Sequence, residues 1–462
     1  MPAAAALLLL AAPLLAPQEA DQSAPKGRAT VYRVDLIETL DGDPIKNGFV
    51  IVRDGLIEKI GQALVLPEGA RVRDLRGSGS TITPPLALSH ANFLVRSSRG
   101  GGLNGRFRAV DSLWLEPEQL HELLELGVLV AGVDPPGDGV PGRSSVISTD
   151  GGTPAPEPLV EDLHLSFQMM GSTRSAKDLL RKAIADAEKA IEGEDKAREA
   201  WQKARKEWEE KQKAKAEEAK KSAEGGKDGA GGGKAAQDPP KPAEKGKDDG
   251  KKPEEQEPPK EFEAPKIDPN LMPVVEWLRK ERVVQVSFDK PAAWLHWLDL
   301  LGDRDLAWEA VLALPRWGGF AGNFHEVKDS IAAAGVRVYL PASLPDLPYT
   351  RIASHPAAEL HAAGVEIVLT PPRADLEGVR SLRLGLADLV REGLDRRTAI
   401  EAVTLRPAAA MGQEELVQAL KPGAPATFIL LDGDFLNPVA EVQLVLRDGK
   451  VLYDRAKEEE DK

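Results

Sequence analysis

His90 and Asn92 stand two residues apart in Thr83-Pro-Pro-Leu-Ala-Leu-Ser-His-Ala-Asn-Phe-Leu94, which reads as a β-strand running out at its C-terminal end. On a strand, side chains at i and i+2 point to the same face. Two histidines at this spacing would offer two imidazoles to one metal ion, whereas this chain offers one imidazole and one amide. Zinc-like ions prefer imidazole, thiolate and carboxylate and take amides poorly. No His-x-His pair occurs anywhere among the seven histidines. His325, in Gly322-Asn-Phe-His-Glu-Val327, reads as the start of a helix. His355 and His361 flank a Pro-Ala-Ala helix and are expected to face solvent. His296 sits among Trp294, Leu295 and Trp297 as a packed or surface imidazole, and His121 and His164 have no nearby partner in sequence. The run Gly100-Gly-Gly-Leu-Asn-Gly105 lacks the Lys-Ser/Thr ending of a phosphate loop and reads as a flexible connection.

The elements that must hold these residues follow from periodicity. Apolar runs at Val128–Val133, Val283–Phe288, Val336–Leu340 and Glu366–Thr370 read as strands, and Leu384–Arg391 and Arg397–Leu405 carry helical spacing. Such alternation implies a parallel sheet covered on both faces, and a (β/α)8 TIM-like barrel fits, with function at the C-terminal strand ends. Residues 28–80 and 413–455 instead show short alternating strands. Turn signals stand at Asp54-Gly55, Asp432-Gly433 and Asp448-Gly449. Neither end has enough strands for its own core, so the two are expected to pair as one small β-sandwich. The barrel is then assigned to 81–175 and 266–412.

Residues 176–265 interrupt that barrel. Leu180, Ile184, Ala187 and Ile191 mark one helical face, loosely extended by Trp201 and Trp208, and Glu192/Lys196 opens a series of i,i+4 pairs. The helix gives way at Gly225-Gly226 to a Gly, Pro, Lys and Glu tract too polar to order itself. The insert reads as a solvated spacer.

The formal charge of −14 over 462 residues argues against nucleic acid as a partner, because phosphate binding needs a basic face. No cysteine is present, which removes thiolate metal sites and cysteine nucleophiles. The Ala-, Leu- and Pro-rich start is too short to span a bilayer and suits a secretory core, without a basic n-region. Residues 1–20 therefore read as a signal peptide, and the protein as exported to a periplasm or the exterior. No later run reaches membrane length.

Gly48-Phe-Val-Ile-Val-Arg-Asp-Gly-Leu-Ile-Glu-Lys-Ile-Gly61, Pro84-Pro-Leu-Ala-Leu-Ser-His-Ala-Asn92, Thr404-Leu-Arg-Pro-Ala-Ala-Ala-Met-Gly412 and Lys421-Pro-Gly-Ala-Pro-Ala-Thr-Phe-Ile-Leu-Leu-Asp432 together resemble the amidohydrolase superfamily, in its imidazolonepropionase-like branch. Gly127–Val133 and Gly142–Thr149 resemble its second strand and the Gly-rich loop after it. The resemblance spans nearly the whole chain except the insert. It implies a metal hydrolase barrel with its metal site taken apart. His90 is the vestigial metal ligand, and Asn92, Ser287, Asp289 and Pro372 stand at former site positions. No cofactor is expected; if the protein is active, the resemblance implies a divalent metal such as zinc.

Without a metal, Ser89, His90 or Ser287 with Asp289 would supply nucleophile, base and orienter types, although no Gly-x-Ser-x-Gly elbow is present. The expectation is a non-catalytic binding or partner subunit with no catalytic residue assigned. The alternative is an active hydrolase of C–N bonds in small or cyclic amides. A homo-oligomer or a catalytically complete relative is the expected partner, with Trp201–Trp208 and Trp294–Trp297 as candidate anchors.

Overall fold

A computed structural model describes residues 27–63, 65–95, 101–151, 157–224, 261–314 and 323–460. Residues 1–20, where a signal peptide is expected, and residues 225–260 of the low-complexity tract lie outside the described residues. The chain divides into two compact units, Met1–Pro85 with Glu415–Lys462, and Leu86–Glu414.

In the first unit a four-stranded sheet runs in the order Leu56–Gly61, Phe49–Arg53, Thr30–Arg33, Arg71–Asp74. A six-stranded sheet runs Lys450–Asp454, Val442–Arg447, Phe428–Leu431, Thr81–Thr83, Leu36–Ile37, Ile45–Lys46. Tyr32, Val50, Ile57, Ile82, Phe428 and Leu444 share one buried core drawn from both sheets. Asp54-Gly55 and Asp448-Gly449 make two-residue turns with both residues at positive φ, the geometry that follows strand twist. Asp432-Gly433 does not; it opens the longer connection 432–441 before the next strand.

The second unit is mixed α/β. Besides the short edge strands Gly102–Leu103 and Pro158–Val160, its strands in chain order are β1 Leu86–Leu88, β2 Val128–Val133, β3 Gly139–Arg143, β4 Ser145–Ser148, β5 Leu165–Met169, β6 Val284–Phe288, β7 Trp308–Leu312, β8 Val338–Pro341 and β9 Ile367–Thr370. From β5 to β9 every neighbouring pair is parallel. β3 joins that sheet antiparallel to β5, and β1, β2 and β4 form a separate sheet edged by Pro158–Val160. The strands therefore make two open ladders rather than one closed ring of eight. Gly142–Thr149, expected as a loop, is mostly strand.

The expected helix Arg397–Leu405 is broken into Arg396–Glu401 and Leu405–Ala410. The break frees backbone carbonyls for the sheets: Ala402 O accepts from Leu369 N at 2.9 Å and Val403 O from Ala87 N at 3.0 Å. One stretch thus touches β9 and β1, the outer strands of the two ladders.

One face of β5–β7 is aromatic. Phe167, Phe288 and Trp308 pack edge-on or tilted against Trp277 and Trp297, or Trp294, of helices α2 (Met272–Leu278) and α3 (Pro291–Leu301), with ring centroids 5.2–6.0 Å apart. Trp294 and Trp297 are fully buried, so they are core rather than partner anchors. The long helix α1, Thr173–Glu224, is more than a spacer along its first half. Leu180, Ala183, Ile184 and Ala187 are buried, and Glu194 pairs with Arg279 at 2.8 Å. The Glu192–Lys196 pair forms at 2.6 Å.

Candidate functional site

Because strand side chains alternate, the face of β5–β9 opposite the aromatics presents a second, polar set. Parallel register aligns it in rows: Ser166, Gln285 and Glu309 in one, Gln168, Ser287 and Val311 in the next toward the C-terminal ends.

In the deeper row Glu309 is saturated. Its carboxylate accepts from Gln285 Nε2 at 3.1 Å, Tyr339 Oη at 2.7 Å and Arg337 Nη1 at 2.5 Å, while His164 Nε2 lies 4.0 Å away. Burial pushes the Tyr339 hydroxyl well above its ordinary range, and the Glu309 charge adds to that. Burial opposes the Arg337 charge, but Glu309, Tyr339 and Glu366 outweigh it and raise its pKa. Burial also lowers the His164 imidazole, against the pull of Glu309 and Asp134, so its neutral form is favoured.

A cavity of about 330 Å³ opens at the C-terminal strand ends, where parallel α/β sheets place their sites, and Ser166 and Gln285 of the deeper row reach it. His90, Asn92, Ser287 and Pro372 all line it, together with Asp134 and Ser166. Asp289 is not among the lining residues: its Oδ2 accepts from Gly171 N at 2.8 Å, holding the loop after β5. Ser89 does not line the cavity either, and neither serine bonds to His90, so no nucleophile–base pair is assembled among the described residues.

The same-face argument for His90 and Asn92 does not hold in detail. β1 ends at Leu88, His90 takes a left-handed φ of 63°, and Asn92 begins a short 3-10 turn, Asn92–Leu94. Left-handed backbone is costly for a side chain with a Cβ, though histidine tolerates it better than most residues. Both side chains reach the cavity through this bend. The His90 ring packs edge-on against Tyr339 with centroids 4.9 Å apart, and neither ring nitrogen has a hydrogen-bond partner. Its Nε2 is 3.9 Å from Asp134 Oδ2. Asn92 Oδ1 and Ser166 Oγ are likewise buried without partners.

A catalytic zinc needs about three protein ligands and an open position. The described residues lining the cavity supply two of the right kind, His90 and Asp134. No third ligand atom of this unit gathers with them among the described residues. The donor set does not fit a catalytic metal.

Sequence reasoning missed Asp134, His164, Ser166 and Glu309, and the strands β5 and β7 that carry two of them. Asp134 had a signal: it directly follows the apolar run Val128–Val133, at the end of a strand where this type of sheet carries its chemistry. The other histidines are structural or superficial. His355 is not solvent-facing: its Nδ1 caps Ala358 N at 3.0 Å, and its Nε2 lies 2.8 Å from Leu389 O. His361 lies 3.3 Å from Thr398 Oγ1, and exposed His325 meets Glu359 at 2.9 Å. His296 is exposed beside Lys177.

No family model matches the chain, and no curated protein matches it. Solved structures do. An amidohydrolase from Thermotoga maritima is 15% identical over 92% of this chain and 100% of its own, with a TM-score of 0.64. The β-aspartyl dipeptidase of Fervidobacterium islandicum is 14% identical over 92% and 96%, with a TM-score of 0.44. The chain therefore has the fold of the Thermotoga amidohydrolase.

Proposed function

We propose that this chain is a degenerate member of the amidohydrolase superfamily whose strands descend from a (β/α)8 barrel, and whose cavity binds a small molecule without metal-dependent hydrolysis. One observation carries this reading. At the strand ends, where the fold places its chemistry, His90 and Asp134 are the only residues of metal-ligand type among the described lining residues. Asn92, Ser287 and Pro372 stand where the sequence resemblance asks for ligands. The Ala- and Leu-rich start supports export, and a binding or partner subunit is the role that fits a chain keeping its fold without its ligand set. No helix of the described residues is long and apolar enough to cross a membrane.

The unpartnered His90 nitrogens, 3.9 Å from Asp134, favour one second reading: a hydrolase of C–N bonds with an unusual metal site. Assays on cyclic amides and dipeptides with added zinc or manganese separate the two. Turnover no faster than that of a His90→Ala variant is expected. Metal-dependent turnover that vanishes in this variant would establish the second reading instead.

A further inference from the structure

We propose that the cavity receives a small organic cation, a primary amine on an apolar body, with its ammonium group held by Asp134. This rests on the reading that no metal occupies the site. Asp134 is only 7% exposed and lines the cavity. Among the described residues its carboxylate accepts no hydrogen bond; its nearest cationisable neighbour, His90 Nε2 at 3.9 Å, is beyond hydrogen-bond reach. A buried charge is stable in a protein only when paired. Arg373 is the one cationic side chain among the described lining residues besides His90, and it is ion-paired with Asp375.

The other polar atoms agree. Ser166, 3% exposed, brings an unpartnered Oγ, Asn92 an unpartnered Oδ1, and His90 two unpartnered nitrogens. The two oxygens and one nitrogen of a neutral imidazole offer lone pairs, and an ammonium group is purely a donor. Val311, Leu312, Leu314 and Pro341 supply apolar wall, and the volume suits a compact ligand. A carboxylate ligand would instead face Asp134 at low dielectric, and a neutral one would leave its charge unpaired.

Calorimetry on the full chain, its metal content counted before the sample is dialysed against EDTA, tests this with three matched probes: benzylamine, benzyl alcohol and benzoate. Benzylamine is expected to bind one per chain, with the other two at least about thirtyfold weaker, the scale of losing one partner of a buried charge pair. Asp134→Asn is expected to weaken benzylamine by a similar factor. If that variant fails to fold, the three-probe comparison on the unaltered chain decides alone. Equal affinity for benzyl alcohol or benzoate, an affinity unchanged in Asp134→Asn, or no benzylamine binding by metal-free protein at millimolar concentration would overturn the proposal alone. A full metal equivalent would overturn it together with the reading beneath it.

Discussion

Two neighbouring polar groupings, the network around Glu309 and the wall of the cavity, differ in whether their groups are satisfied. Around Glu309, each of Gln285, Tyr339 and Arg337 donates to the carboxylate. On the cavity wall, His90, Asn92 and Ser166 carry buried atoms with no partner, and the Asp134 carboxylate lies 3.9 Å from His90 Nε2. A satisfied network holds a fold and gains nothing from a ligand. Unpartnered groups lining a cavity hold nothing, and they are what a ligand would complete. The difference teaches that polarity alone does not mark a site; unmet hydrogen bonding at a cavity wall does.

The largest effect expected from this contrast is at Glu309. Glu309→Ala strands the Tyr339 hydroxyl, leaves Arg337 only its Glu366 partner, and should cost about 3 kcal/mol in urea unfolding, as breaking buried ion pairs does. A loss below about 1 kcal/mol would mean the deep row is not structural. Next is a pH dependence. The folded-state pKa of His164 is lowered from its ordinary 6.5, so below that value the unfolded chain takes a proton the folded chain refuses. Its contribution is complete above 6.5 and is lost as pH falls toward the depressed folded value, with a slope of at most about 1.4 kcal/mol per pH unit. His164→Leu should flatten this part of the stability profile, and an unchanged profile would place the titration elsewhere.

The cavity wall should behave oppositely. Asp134→Asn removes an unpaired buried charge and should leave stability unchanged or raise it by about 1 kcal/mol. Ser166→Ala, which breaks no hydrogen bond, should stay within about 0.5 kcal/mol. A marked destabilisation in either variant would show that the cavity wall is as structural as the Glu309 network.

Much of the architecture was legible because it is local. Val128–Val133 is a strand with the expected bounds, and the strands expected to end at Phe288 and Thr370 do so, since β-branched runs bounded by turn residues are strong signals. The Asp-Gly turns at 54 and 448 follow from two residues each. β7 was not legible: Trp308-Glu-Ala-Val-Leu312 puts a charge in mid-strand, and only Arg337 and Tyr339, distant in sequence, make that charge tolerable. At the site, His90, Asn92, Ser287 and Pro372 were reached by motif. Asp289 was assigned by the same two-residue spacing as Ser287, but it lies past the strand end, where alternation no longer governs direction. Asp134, Ser166 and His164 come together with His90 only through the packing of distant strands, which no spacing rule encodes.

The central claim is that this cavity is not a metal centre, and metal content tests it most directly. Elemental analysis of the purified, dialysed chain should find far less than one equivalent of zinc, manganese or iron. The Asn92→His variant should remain without metal-dependent amide hydrolysis, because one restored imidazole leaves the Ser287 and Pro372 positions unrepaired. A full equivalent of metal on the unaltered chain, lost on His90→Ala, would contradict the claim.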